Sequence, residues 1–253
     1  MSNWVLLRGL AREARHWGDI KELFQQTFPI EKITLQDLAG NGVFYSQRSS
    51  SSEGAMVEFA REQLASGSVK PPYRLLAMSL GAMVACEWAA RYPQEIERLV
   101  LINTSMRPFS HAAQRLRPST WPYLAAMALR WRDAQFAEQT IFDLTCQRTN
   151  TRSIDEAAWL NIRATAPVSV VNVWRQLLAA ARHQAAPLPP GCPVLLLSSR
   201  LDALVNPICS HQLATAWQAE YRQHPLAGHD LPHDDARWVC QQIAAWLELD
   251  APL

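Results

Sequence analysis

Residues 75–86, LLAMSLGAMVAC, set one serine between small residues where an apolar strand candidate passes directly into an apolar helix candidate. That junction restricts the fold to βα units stacked around a sheet. A serine on so sharp a turn is held in a strained backbone conformation, its Oγ above the sheet edge and the following N–H facing a reacting carbonyl. Ala77 and Gly81 leave room for the turn. The plainer alternative is a serine that caps a core helix.

Two later segments favour the chemical reading. Residues 192–199, CPVLLLSS, form a short apolar strand candidate, and Asp202 follows just past its C-terminal end. A further strand candidate near 221–225 runs into Ala227-Gly228-His229-Asp230-Leu231-Pro232, a turn with a histidine at its tip. The order is Ser79, Asp202, His229, the order in which serine hydrolases built on an α/β sheet carry nucleophile, acid and base. Serine is a weak nucleophile at neutral pH, so a histidine must take its proton and an acid must orient the imidazole. Asp230 is the rival acid, but direct neighbours rarely reach the required side-chain geometry. Asp202 is preferred.

Strand candidates at 4–7, 32–35, 73–77, 98–103, 193–198 and 221–225 alternate with helical stretches near 17–27, 54–66, 80–91, 208–218 and 234–247. The pattern predicts an α/β fold with a doubly wound, mostly parallel sheet, in which ligands gather outside the carboxyl ends of the strands. Between Ser105 and about Pro187 the alternation stops, and tryptophans occur among helix-forming residues. This predicts a helical cap at 106–187 inserted into a core of 1–105 and 188–253, with Pro187–Gly191 as a stiff return. At 253 residues and 49% hydrophobic, the chain can bury such a core.

These segments resemble the α/β-hydrolase superfamily nearly from end to end. Trp4–Leu7 followed by Arg8-Gly9-Leu10, with Trp17 beyond, is similar to that family's H-G-φ segment, Arg8 standing where histidine is usual. The resemblance implies that the backbone N–H groups of Leu10 and Leu80 form the oxyanion hole. Asp37-Leu38-Ala39-Gly40-Asn41-Gly42 is similar to the family's D-L-P-G-x-G loop and reads as structural. The size and cap resemble small capped carboxylesterases of the kind that cleave the pimeloyl-carrier-protein methyl ester.

The expected activity is therefore hydrolysis of a carboxylic ester or thioester through an acyl-enzyme. C–C bond hydrolysis or lyase chemistry on the same scaffold is one alternative, and a non-catalytic small-ligand-binding protein is another. The substrate is expected to be a small molecule, with an anionic or carrier-protein-borne one suggested by Arg107, Arg115, Arg117, Arg130 and Arg132, among which no acid occurs. Arg8, Trp17, Arg115 and Arg117 are the substrate-binding candidates. A net charge of +1 gives no support for nucleic-acid binding. No long apolar run, phosphate-binding loop or metal-ligand spacing occurs, and five cysteines lack C-x-x-C pairing. The expectation is a cytoplasmic enzyme with no membrane segment, metal or cofactor. His233 with Asp234 and Asp235 reads as the start of a helix rather than a metal site.

Overall fold

Strands that are apolar at nearly every position must be covered on both faces, which is the situation of parallel sheets flanked by helices. The computed structural model, which describes residues 3–249, has this arrangement. The first two and last four residues of the predicted core lie outside the described residues. Six strands, β1 (Asn3–Leu7), β2 (Lys32–Gln36), β3 (Tyr73–Met78), β4 (Ile96–Ile102), β5 (Val194–Ser199) and β6 (Glu220–His224), form one sheet in the order β2-β1-β3-β4-β5-β6. All five pairings are parallel. Each strand lies within two residues of its position as read from the sequence.

Among the described residues, eleven α-helices connect and extend the sheet: α1 (Ile20–Thr27), α2 (Glu53–Ser66), α3 (Leu80–Arg91), α4 (Ala112–Arg115), α5 (Trp121–Leu129), α6 (Ala134–Thr145), α7 (Arg152–Thr165), α8 (Val170–Arg182), α9 (Ile208–Trp217), α10 (Leu231–Asp234) and α11 (Ala236–Leu249). Alternate residues of each strand point to opposite faces. Val5, Leu7, Leu75 and Ala77 therefore pack with Val57 and Leu64 of α2, Val84 and Trp88 of α3 and Leu213 of α9. Trp4, Leu6, Leu76 and Met78 pack on the other face with Phe24 of α1 and Ile243 and Trp246 of α11.

This winding creates the site. The chain leaves β1 for α1 on one face and leaves β3 for α3 on the other, so the connections after these two neighbouring strands turn to opposite faces of the sheet, the switch point outside which ligands bind in open α/β sheets. Leu10 follows β1 and Ser79 follows β3. Between β4 and β5 the described residues contain helices α4 to α8 and no strand. The two ends of this insertion lie side by side, with a bridge between Arg107 and Gln184 and a hydrogen bond from the Ala185 N–H to the Arg107 carbonyl (2.8 Å). No described helix is long and apolar enough to cross a membrane.

Candidate active site

Ser79 stands at the junction of β3 and α3 with φ 53° and ψ −117°, a left-handed conformation that costs a non-glycine residue of order 1–3 kcal/mol and persists only when its surroundings enforce it. They do so here. Its N–H donates to the Ile102 carbonyl (2.9 Å), and its carbonyl accepts from the Ala82 N–H (3.1 Å) and the Thr104 hydroxyl (3.1 Å). Gly81 is required by proximity. A Cβ there would lie 2.5 Å from the Leu7 carbonyl oxygen and 2.6 Å from that of Arg8, so only glycine lets α3 start against the end of β1. The same closeness brings the Gly9-Leu10 loop beside the serine: a Cβ at Gly9 would be 3.2 Å from Ser79 Cβ. Among the described residues, neither the Leu10 N–H nor the Leu80 N–H donates to a protein acceptor.

Asp202 sits in the turn after β5 and is 1% exposed. One of its oxygens, Oδ1, accepts from the Leu204 and Val205 N–H groups (2.8 Å each). The other, Oδ2, lies 2.7 Å from Nδ1 of His229, itself 4% exposed. A carboxylate oxygen only accepts, so the contact places a proton on Nδ1, and in the neutral imidazole Nε2 is then the acceptor. The distance is that of a charge-assisted hydrogen bond.

The loop carrying His229 is fixed from three directions. Asn103, at the end of β4, donates its amide to the His229 carbonyl (2.7 Å) and to Ser199 Oγ (2.9 Å), and accepts from the Ser199 N–H (2.9 Å). The Asp230 N–H donates to the Thr145 carbonyl at the end of α6 (2.8 Å), close enough that a Cβ on Gly228 would meet that carbonyl at 2.6 Å. Finally, Asp230 and Arg8 form a buried two-pronged ion pair, Nη1 to Oδ1 at 3.0 Å and Nη2 to Oδ2 at 2.6 Å. Burial alone would raise the Asp230 pKa, but the Arg8 charge and its hydrogen bonds prevail and hold it at about 2.

Several residues read from the sequence as substrate contacts have other partners. Arg8 is 4% exposed, engaged with Asp230 and seated over the buried Trp17 ring at 4.9 Å, so both residues brace the two loops instead of facing a ligand. Arg115 donates to the Ala180 carbonyl and Arg107 to those of Arg182 and His183, which closes the C-terminal end of α8. Arg117 donates through Nη1 to the Asp202 carbonyl (2.8 Å). Arg130 pairs with Asp133 (2.6 Å). Arg107, Arg115, Arg117 and Arg130 thus each have a partner within the protein.

Asp234 also departs from the sequence reading. Instead of opening a helix, it ends α10 and accepts from the backbone N–H groups of Gly228 (2.7 Å), Gln147 (3.0 Å) and Arg148 (2.9 Å), a clamp between the insertion and the His229 loop. Cys146, His233 and Asp234 bring potential ligand atoms within 4.8 Å of one another. That grouping is explained by the clamp: the Asp234 oxygens are occupied, and burial pushes the Cys146 thiol well above its ordinary pKa, where it stays protonated. Asp235 does cap a helix, accepting from the Trp238 N–H (2.9 Å).

Residues 54–235 match the family described as serine aminopeptidase, S33. The chain belongs to that family. Among curated relatives, this S33 chain is similar to the biotin biosynthesis bifunctional protein BioHC of Cellvibrio japonicus, 26% identical over 231 residues that make up 88% of this chain and 43% of that protein. It is also similar to the pimeloyl-[acyl-carrier protein] methyl ester esterase of Chromobacterium violaceum, 37% identical over 57 residues, 22% of this chain and 20% of that one. The matched regions span less than half the length of these relatives. Among solved structures, the thermophilic esterase of Thermogutta terrifontis superposes with a TM-score of 0.76 at 21% identity, covering 98% of this chain and 90% of that one, a likeness of fold. Family and fold together give the S33 chain the α/β-hydrolase scaffold.

Sequence reasoning missed Asn103, Asp230 in its pairing with Arg8, and Asp234 as a clamp. Asn103 had a local signal, the polar Asn-Thr-Ser after an apolar strand. The Arg8–Asp230 pair had none, since its members are 222 positions apart.

Proposed function

We propose that this chain is a serine hydrolase cleaving a carboxylic ester or thioester, with Ser79 as nucleophile, His229 as general base and acid, and Asp202 as the acid that fixes the imidazole. The single observation that carries this reading is the 2.7 Å contact between His229 Nδ1 and an Asp202 whose other oxygen is held by two backbone N–H groups. It leaves Nε2 free to act at the strand edge where a strained serine stands. Ser79 Oγ attacks the acyl carbon while Nε2 takes its proton, and the resulting oxyanion is held by the N–H groups of Leu10 and Leu80. Collapse breaks the bond to the leaving alkoxide or thiolate, which departs with the proton from His229. Water then attacks the acyl-enzyme with His229 again as base, releasing the acid and restoring the hydroxyl. Residues 106–187 serve as the cap over this site. The likeness to a pimeloyl-[acyl-carrier protein] methyl ester esterase supports a methyl ester of a small acyl chain, free or on a carrier, as a substrate to test.

The test is labelling with a fluorophosphonate and hydrolysis of p-nitrophenyl butyrate. The intact protein should gain one adduct at Ser79. Ser79→Ala should abolish the adduct, and Ser79→Ala and His229→Ala should each lower kcat by about a thousandfold or more without loss of thermal stability. A clean Ser79→Ala preparation that keeps a tenth of wild-type kcat removes the assignment. Absence of any adduct on folded protein favours a ligand-binding role, and faster cleavage of aminoacyl anilides than of esters removes the ester reading alone.

A further inference from the structure

The loop that carries Leu10 is not held by the sheet alone. Gly9 to Arg12 form a turn closed by the Arg12 N–H on the Gly9 carbonyl (3.3 Å), and Ala11, its third residue, has φ 55°. Glycine or asparagine is the usual occupant of such a left-handed position, so alanine there must be held from outside. The restraint comes from the insertion. Gln176 on α8 is 0% exposed, and its Oε1 accepts from the Ala11 N–H (2.8 Å) while its Nε2 donates to Asn41 Oδ1 (2.9 Å) and Ser49 Oγ (3.0 Å). One residue on, Arg12 donates to Glu138 Oε2 of α6 (2.7 Å) and lies 4.2 Å over the Trp159 ring of α7. Glu138 is itself fixed by Arg163 of α7 (2.9 Å).

We infer that Gln176 is a positioning residue for the oxyanion donor at Leu10, so that the helical insertion completes the hydrolytic site as well as covering it. This rests on the serine-hydrolase reading above. The peptide planes on either side of Leu10 have separate anchors: Gly9 is packed against Ser79, and the Ala11 N–H is tied to Gln176. The Leu10 N–H lies in the first of these planes, whose Gly9 carbonyl accepts from the Arg12 N–H, and holding the second plane limits its rotation about Leu10. A donor so held is set before the substrate arrives, and such preorganisation is what gives an oxyanion hole its effect. Release of the Ala11 anchor leaves the strained turn free to relax and swing the donor away. Ground-state binding of an ester, which does not depend on that donor, is spared.

The experiment compares Gln176→Met, which keeps size and removes the acceptor, with Ser49→Ala, which removes a partner from the far side of the same buried amide. On p-nitrophenyl butyrate, Gln176→Met should lower kcat by at least about tenfold with KM within about twofold, since removal of a whole donor is worth a hundredfold to a thousandfold. Its affinity for an alkylboronic acid, which forms a tetrahedral adduct, should fall by a similar factor. Ser49→Ala should stay within about twofold of wild type. The double variant Ala11→Gly/Gln176→Met removes the strain, so it should regain thermal stability and leave kcat low. This second variant carries the comparison where the single one folds poorly. A kcat loss under tenfold, a defect confined to KM, equal loss in Ser49→Ala, or recovery of kcat together with stability in the double variant overturns the inference. A parallel Ser79→Ala control separates the two levels. If it abolishes activity while Gln176→Met does not, only the role of Gln176 fails, and if it remains active the hydrolase reading fails first.

Discussion

Asp230 follows the proposed catalytic histidine and carries a full ionic partnership of its own, which makes the loop around it sensitive to acid. Its pKa is near 3.8 in an unstructured chain and about 2 in the folded protein. A group whose folded pKa is depressed contributes stability that is fully present above its unfolded value and lost as the pH falls through the folded one. The Arg8–Asp230 pair should therefore support the fold above about pH 4 and fail progressively between pH 4 and pH 2. Asp230→Asn keeps the shape and removes the charge, leaving Arg8 buried opposite a neutral amide. Thermal unfolding followed from pH 2 to pH 6 should show wild type well above Asp230→Asn at pH 5 to 6, with the gap closing towards pH 2. A gap that stays constant over this range assigns the effect to packing. His16, buried beside Arg12, is held well below its usual pKa of 6.5 by desolvation and then by the Arg12 charge, so the unfolded chain takes up a proton there before the folded one does; this lowers stability as the pH falls in wild type and variant alike and cancels in the gap between them.

At the scale of elements, the short segment before α5 determines how the proposed acid is held. The Arg117 N–H donates to the Leu204 carbonyl (2.9 Å) and its guanidinium to that of Asp202, so one residue of the insertion grips the Asp202 turn twice. Arg117→Met should then lower kcat on neutral and acidic esters alike, by less than about tenfold for each, with a fall of a few degrees in the unfolding midpoint. Selective loss on the acidic ester would restore this arginine to substrate recognition. The basic run around Arg115 and Arg117 suggested an anion site because charge is visible in a sequence and its partner is not. Backbone carbonyls at the end of α8 and in the Asp202 turn are such partners. The strands were legible for the opposite reason: β1, β3, β4 and β5 each carry a buried apolar run, residues 4–7, 75–78, 99–102 and 194–197, covered on both faces. β6, whose Glu-Tyr-Arg-Gln-His sequence lies half-buried at the sheet edge, has no such run and is one residue displaced from the 221–225 candidate. Ser79, Asp202 and His229 could be singled out because each lies in the turn just past the carboxyl end of a strand, β3, β5 and β6 in turn. Gln176 could not, since a buried glutamine inside an amphipathic helix looks like any solvated one until the Ala11 loop is seen beside it.

Across the whole molecule, the sheet and the insertion cohere by different physics. The sheet is covered on both sides by apolar clusters that include fully buried Trp4, Trp88, Leu6 and Leu76. The insertion has a small apolar cluster of its own, around Phe142, Cys146, Trp159 and Ile162, and meets the core through a few apolar residues, Met106, Ala179 and Ala185, and through directed polar contacts such as Gln176 with Ala11, Glu138 with Arg12 and Asp234 with Gly228. Polar seams of this kind specify a geometry more than they add stability, because each hydrogen bond replaces one with water and nets only about 0.5–1.5 kcal/mol. No residue of α5 is buried, although the helix is almost wholly apolar. Local opening follows the density of buried apolar contact, so it should begin in the insertion, with α5 first, while the central strands open only with global unfolding. Hydrogen exchange read by mass spectrometry should show amides of 121–129 exchanging at least about a hundredfold faster than those of β1, β3 and β4, with α8 between them because of its anchors on Ser49 and Ala11. Equal protection across insertion and sheet would mean that the seam is as cooperative as the core, and the insertion could then not move independently of the strands that carry the proposed site.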